Sequence, residues 1–258
     1  VENPITHNIK RYDFLGVPID VLPEEQFEDF FAKLLESNAS WKIALIRYRD
    51  FRRATWRRDF QNQLLSCSLV LPIDQSLEWG MKFAGLPAPH RYHPFDFIIK
   101  LLGYLEKKGK SVYLLGGNPN DVQQVFDKVR SGFPKLTVIG RHAGKYPKEN
   151  EKLILSAIYK SNPTLLFIGS RVRGKMNFMF ENTNSLNVPI IFWSDEAFNI
   201  MSGKKKITDR ESFKRSFKNG TYYIGGALFN PLKWLRIPSY IIYFFMVIWQ
   251  KYFLKNRN

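Results

Sequence analysis

Six short apolar runs punctuate the chain: KIALIRY (42–48), SLVLP (68–72), SVYLLGG (111–117), LTVIG (136–140), TLLFIGS (164–170) and VPIIFW (188–193). Each is rich in β-branched or aromatic residues and apolar at consecutive positions, the pattern of strands covered on both faces. The segments between them, 23–36, 51–65, 76–84, 94–108, 119–131, 148–160 and part of 196–218, repeat apolar residues about every 3.6 positions and predict helices. This alternation predicts an α/β fold: a Rossmann-like, largely parallel sheet with helices on both faces. Ligands of such sheets sit at the carboxyl ends of the strands.

The pattern changes after about residue 226. IPSYIIYFFMVIW (237–249) runs thirteen residues without a charge, whereas a spanning helix takes ~17–25. Lys233, Arg236, Lys251, Lys255 and Arg257 flank it, with Trp and Tyr interleaved. It reads as a helix lying in a membrane interface, or as a terminal helix docked on the protein's own core or on a partner subunit. The expected division is a Rossmann-like domain over 1–225 and a basic, aromatic helical appendage over 226–258.

With 258 residues, 45% of them hydrophobic, the chain can bury a sizeable core. Charge narrows the partners: 39 Lys and Arg against 23 Asp and Glu give +16, which suits an anionic membrane surface, a phosphorylated substrate or nucleic acid. Cys67 is the single cysteine, excluding an internal disulfide or a cysteine metal cluster, and the four histidines show no metal-ligand spacing. The first thirty residues contain Glu24, Glu25, Glu28 and Asp29 and no apolar run. No signal peptide is expected, and the expected location is cytoplasmic, peripheral to the inner face of the cell membrane.

Four stretches carry candidate chemistry. In VLPIDQSLEWG, Asp74 follows a buried strand, where it is either a general base or the N-cap of the next helix. In LLGGNPNDVQQVF, Gly116 and Gly117 let a backbone approach an anion at a helix N-terminus, or serve only a tight turn with Asn118 or Asn120 as cap. Asp96, in RYHPFDFIIKLL, falls in the first turn of a helix begun by Pro94; it complements the helix dipole or hydrogen-bonds a sugar hydroxyl. RYRDFRRATWRR holds six arginines, with Arg49, Arg53 and Arg57 four apart on one face. That face suits phosphate, lipid headgroups or RNA, or is merely solvated.

Together these pieces resemble the WecG/TagA/CpsF glycosyltransferases over roughly residues 12–236. SVYLLGGNPNDVQQVFDKVRSGFPKLTVIGRHAGKY is similar to the family's Leu-Leu-Gly-Gly turn, helix and Val-Gly strand end. Arg91 and Asp96 resemble the Arg and Asp around its Gly-x-Asp segment, and TLLFIGS the strand before its Gly-x-Pro-Lys-Gln-Glu motif. Phe198 and Gly203 resemble its Gly-x-Phe-Asp-x-x-x-Gly segment. Gly220, Pro231 and Arg236 keep the spacing of its tail, with Lys233 replacing an arginine. The resemblance implies transfer of an N-acetylmannosamine-like sugar from a UDP-sugar donor to a lipid-linked glycan acceptor in cell-surface polysaccharide synthesis. It implies an appendage that brings the enzyme to an anionic membrane and places Lys233 and Arg236 near the donor diphosphate. No cofactor is implied, and the sequence has no Asp-x-Asp pair to carry a metal.

Several family positions differ. Pro-Asp-Gly becomes Pro72-Ile73-Asp74, so the family's proposed base falls on Ile73; Thr-x-Asn becomes Leu45-Ile46-Arg47. SRVRGKM (170–176) lacks the Pro-Lys-Gln-Glu residues, while Asn199, Tyr222 and Gly226 replace an Asp, a Glu and an Arg. These changes motivate an alternative, a catalytically inactive descendant acting as a membrane-associated scaffold. Nucleic-acid binding rests on charge alone, with no RNA-module signature, and is set aside. An oligomer remains open.

Overall fold

A computed structural model describes residues 9–37, 39–172, 176–205 and 237–254. The six apolar runs form β3 (Trp41–Ile46), β4 (Leu69–Pro72), β5 (Ser111–Leu115), β6 (Thr137–His142), β7 (Leu165–Ile168) and β8 (Ile190–Trp193). They make one sheet in the order β4-β3-β8-β7-β5-β6, and every neighbouring pair is parallel. Between and after them run α2 (Tyr48–Trp56), α3 (Arg58–Leu65), α4 (Gln75–Phe83), α5 (Pro94–Lys107), α6 (Pro119–Gly132), α7 (Glu151–Ser161), α8 (Met176–Leu186) and α9 (Asp195–Met201). α1 (Phe27–Glu36) precedes the sheet. The predicted α/β architecture is present.

Strand side chains alternate between the faces. Ile43, Leu45, Leu69, Leu71, Leu114, Phe167 and Phe192 share one buried cluster with residues of α1, α5, α6 and α9. The intervening Ala44, Ile46, Val70, Leu115, Leu166 and Ile191 are buried as well. On that second side Lys42 lies over the Phe180 ring of α8, and Gln63 of α3 donates to Asn177 of α8 at 3.3 Å. Burial of both faces is why the strands read as uninterrupted apolar runs.

The structure adds or redraws three elements. A hairpin of β1 (Lys10–Phe14) and β2 (Val17–Val21) turns through Leu15 and Gly16, both at positive φ; its two-residue turn lacks the Asn-Gly signal that announces such hairpins. It clasps the sheet edge, because the buried Asp20 carboxylate accepts the Val70 amide of β4 at 2.6 Å and pairs with Arg11 at 2.7 Å. The helix expected over 51–65 is two helices, broken where Arg57 adopts φ −126° and ψ 105°. α8 was missed because MNFMFENTNSL mixes Asn and Thr into a weak apolar stripe. Of the helix expected within 196–218, the part beyond Lys205 lies outside the described residues.

The chain divides into two compact units, Val1–Glu78 with Ala88–Lys205, and Trp79–Pro87 with Lys206–Asn258. The boundary expected at 225/226 falls outside the described residues. In the second unit, α10 (Ile237–Trp249) continues as a π-helical turn over Gln250–Leu254. Phe244 of α10 meets Phe83 at 6.0 Å between ring centroids, and Lys251 lies 4.3 Å from the centroid of the same Phe83 ring. Ile241, Ile242, Phe244, Phe245, Trp249 and Tyr252 are exposed. Among the described residues no helix is long and apolar enough to cross a membrane.

Phe97 of α5 is fully buried and touches the rings of Phe27, Phe31, Tyr92 and Phe192. Phe97→Ala is expected to destabilise the fold by about 3–5 kcal/mol. Leu153→Ala, on an exposed position of α7, should change it by less than about 0.5 kcal/mol. Urea unfolding of both variants checks the contrast.

Candidate active site

Chain topology marks one crevice. From β5 the chain goes on to β6 on one side, and from the adjacent β7 to β8 on the other. Strands whose connections leave in opposite directions open a cleft beyond their carboxyl ends, where ligands of such sheets bind. Gly116, Gly117 and Asn118 follow β5, and Gly169, Ser170 and Arg171 follow β7.

The paired glycines meet the protein's own backbone here. A Cβ on Gly116 would come within 2.8 Å of Gly169 Cα, and a Cβ on Gly169 would enter the Phe198 ring. Gly117 is left-handed, with φ +64°. The Gly116 amide donates to His142 O at 3.0 Å and the Gly117 amide to Ser170 O at 2.6 Å. Both N–H groups are thus engaged, and an anion in this crevice must draw chiefly on side chains.

Asn118 occupies the N-cap of α6, and its amide donates to the Asp121 carboxylate at 2.7 Å. Asp121 also pairs with Lys204 at 2.5 Å. Burial pushes the Asp121 carboxyl up, but the Asn118 amide, Lys204 and Arg171 outweigh that and hold it below the usual carboxylate range. Arg171 is exposed and left-handed at φ +67°, a conformation costing a non-glycine residue about 1–2 kcal/mol. Beside it Ser170 Oγ donates to Asn199 Oδ1 at 3.1 Å. Arg171, Ser170, Asn199 and Lys204 therefore supply charge and hydrogen bonds at the β5/β7 crevice; KKK at 204–206 hinted at this only as a charge run.

At the other end of the sheet, the Ile73 amide donates to Ile46 O at 3.0 Å, extending the β3/β4 ladder by one residue. Ile73 consequently packs on the core cluster. Asp74 comes next, and its Oδ2 accepts the Tyr48 amide at the start of α2 at 2.7 Å. Asp50 accepts the preceding Arg47 amide at 3.1 Å, so two carboxylates converge on one helix N-terminus. Burial raises the Asp50 carboxyl above its ordinary range, against the pull of Arg47 and Arg49, and Asp74 adds to the rise. The Arg47 side chain pairs with Glu196 of α9, which also pairs with Lys205. Sequence reasoning missed Asp50, Asp121 and Glu196; acids in the first turns of helices after β3, β5 and β8 were the available signal.

Asp96 lies in the first turn of α5, behind the N-cap His93, whose ring accepts the Phe95 amide at 3.3 Å. α5 leads directly into β5 and runs antiparallel to it, so Asp96 stands at the carboxyl end of the sheet. No described residue hydrogen-bonds or ion-pairs with its half-buried carboxylate. Arg91 is held by Glu78 at 2.7 Å. Burial pushes the Cys67 thiol up to about 12, making it an inert core group. Lys233 and Arg236 lie outside the described residues.

Asp121→Asn is expected to cost about 1 kcal/mol of stability near pH 7 by weakening the start of α6. Because the native carboxyl titrates below its unfolded value, this contribution is complete above an unfolded pKa of about 3.9 and is lost as pH falls through the native one. Urea unfolding at about pH 7 and about pH 2.5 should show the gap from wild type closing on acidification. A constant gap would contradict the assignment.

The family model described as "Glycosyl transferase WecG/TagA/CpsF family" matches residues 12–257. An N-acetylglucosaminyldiphosphoundecaprenol N-acetyl-beta-D-mannosaminyltransferase of Bacillus subtilis (strain 168) is 21% identical over 188 residues, covering 72% of this chain and 71% of that protein. A protein of the same description from Bacillus spizizenii is 23% identical over 185 residues, covering 70% of each. The match covers nearly the whole chain and accords with the parallel sheet: the chain belongs to the WecG/TagA/CpsF family of glycosyltransferases.

Proposed function

We propose that this protein transfers an N-acetylmannosamine-like sugar from a UDP-sugar to a lipid-linked glycan acceptor at the cytoplasmic face of a membrane. The observation that carries the reading is the family match over nearly the whole chain; the curated relatives are named for transfer of an N-acetyl-beta-D-mannosaminyl group to N-acetylglucosaminyldiphosphoundecaprenol. The donor diphosphate lies in the β5/β7 crevice, against Arg171 and Lys204 and beside the turn of Gly116, Gly117 and Asn118. Positive charge stabilises the leaving UDP as its negative charge develops in the transition state, a role for which the family resemblance also offers Lys233 and Arg236. Asp96 accepts a hydrogen bond from a sugar hydroxyl.

Asp74 is the carboxylate that this reading assigns to the base role. It stands at the carboxyl end of β4, three strands and so about 14 Å from β7, with its Oδ2 held by the Tyr48 amide; the donor sugar and the acceptor hydroxyl have to extend toward it from the crevice. Residues 226–258 form the membrane appendage, supported by the exposed aromatic and aliphatic side chains of α10 and by Lys251.

A second reading, a catalytically inactive scaffold, draws on a specific observation. Ile73, at the family's base position, packs on the core, and the Gly116 and Gly117 amides are already donated to His142 and Ser170.

UDP release from UDP-N-acetylmannosamine, measured with a lipid-linked N-acetylglucosamine diphosphate acceptor, separates the two. Wild type should turn over and Asp74→Asn should lose about 100-fold or more in kcat, while Asp96→Asn should chiefly raise the donor KM. Binding of UDP without release by wild type would support the scaffold instead.

A further inference from the structure

α2 carries a surface that the transferase reading leaves unused. Its inner side is Tyr48, Phe51 and Ala54, all buried. Opposite them Arg49, Arg52, Arg53 and Trp56 follow at i, i+3, i+4 and i+7, all exposed, and Arg57 and Arg58 extend the row. The Arg49 side chain is 79% exposed and Trp56 70%. The neighbouring acids do little to neutralise this face. Asp50 accepts the Arg47 amide and only grazes Arg49, at 4.0 Å; Asp59 is taken by Arg57 at 2.9 Å. Among the described residues Arg52 and Arg58 have no carboxylate partner. The Arg53 guanidinium lies 4.4 Å from the Phe60 ring centroid, steadying it as part of the surface.

The chemistry of this stripe selects its partner. Guanidinium forks match phosphate oxygens and hydrate weakly. An indole left in water beside them is amphipathic and sits at the level of lipid headgroups. Readers of single-stranded nucleic acid stack successive bases on several aromatic side chains along a groove; α2 exposes one aromatic ring on a convex helix face. We infer that the arginine face of α2 is a docking surface for anionic phospholipid headgroups. The inference rests on the membrane-associated reading above, but neither on α10 nor on catalysis. It also gives the chain the second signal that stable peripheral anchoring requires.

Vesicle co-sedimentation of the full chain tests it, using vesicles of roughly 30% phosphatidylglycerol in phosphatidylcholine and of phosphatidylcholine alone. The R49Q/R52Q/R53Q variant should bind the anionic vesicles at least about tenfold more weakly than wild type at low salt, with binding to neutral vesicles unchanged. That difference should shrink above about 0.5 M salt, where exposed charges are screened. Because Arg53 packs on Phe60, R49Q/R52Q is run alongside and should retain the wild-type unfolding midpoint with an intermediate loss. Trp56→Ala should weaken binding to both vesicle types several-fold. Equal binding of wild type and the arginine variants to anionic vesicles would overturn the inference. So would a wild type that binds no vesicle, or a loss seen only for a single-stranded RNA oligonucleotide. UDP release measured in detergent is independent of these readings, so a failed transferase assay leaves the vesicle result interpretable.

Discussion

At the centre of the sheet the backbone of Gly116, leaving β5, lies against the backbone of Gly169, leaving β7. A side-chain carbon on Gly116 would stand 2.8 Å from Gly169 Cα, and one on Gly169 would displace the buried Phe198 ring that anchors α9. Much of the crevice geometry follows from this contact. The two strand ends stay close, Gly117 turns left-handed into α6, and its amide closes onto Ser170 O. The cost is that this turn spends its amide donors on the fold. Chemistry at the crevice therefore falls to Arg171, Ser170, Asn199 and Lys204, the polar side chains that the same packing brings together.

Electrostatics along this edge follow one rule. Parallel strands feed helices whose N-termini all point to the same side, concentrating partial positive charge there. Three of these N-termini receive acids: Asp50 and Asp74 at α2, Asp121 at α6, and Glu196 in the first turn of α9. Arg47, Lys204 and Lys205 then pair with those acids across elements. These pairs offset charge locally, and the chain as a whole keeps an excess of +16. The outer face of α2 and the basic residues around α10 take part of it, which is the distribution expected of a protein that meets an anionic surface.

The parallel sheet was legible because both of its faces are buried, leaving unbroken apolar runs that periodicity detects. Asp74 follows the last rung of the β3/β4 ladder, and the sequence left it between a general base and a helix cap. Its partner was not legible, because the Tyr48 amide is brought alongside only by strand pairing of β3 with β4. The same holds for Lys204 and Asp121, 83 residues apart. LLGG allowed either ligand approach or a tight turn, and Gly169 within TLLFIGS, which meets Gly116, was not considered as its partner. The β1–β2 hairpin and α8 escaped because turn chemistry and apolar stripe were both weak in sequence.

The account stands on the β5/β7 crevice being the nucleotide site, and a crystal structure of the protein grown with saturating UDP tests this most directly. It should show the diphosphate beyond Gly117 and Ser170, within hydrogen-bonding reach of Arg171 or Lys204, with the Gly116–Gly169 contact intact. UDP bound at a different edge of the sheet, or a crevice still closed by protein side chains at saturating nucleotide, would contradict it.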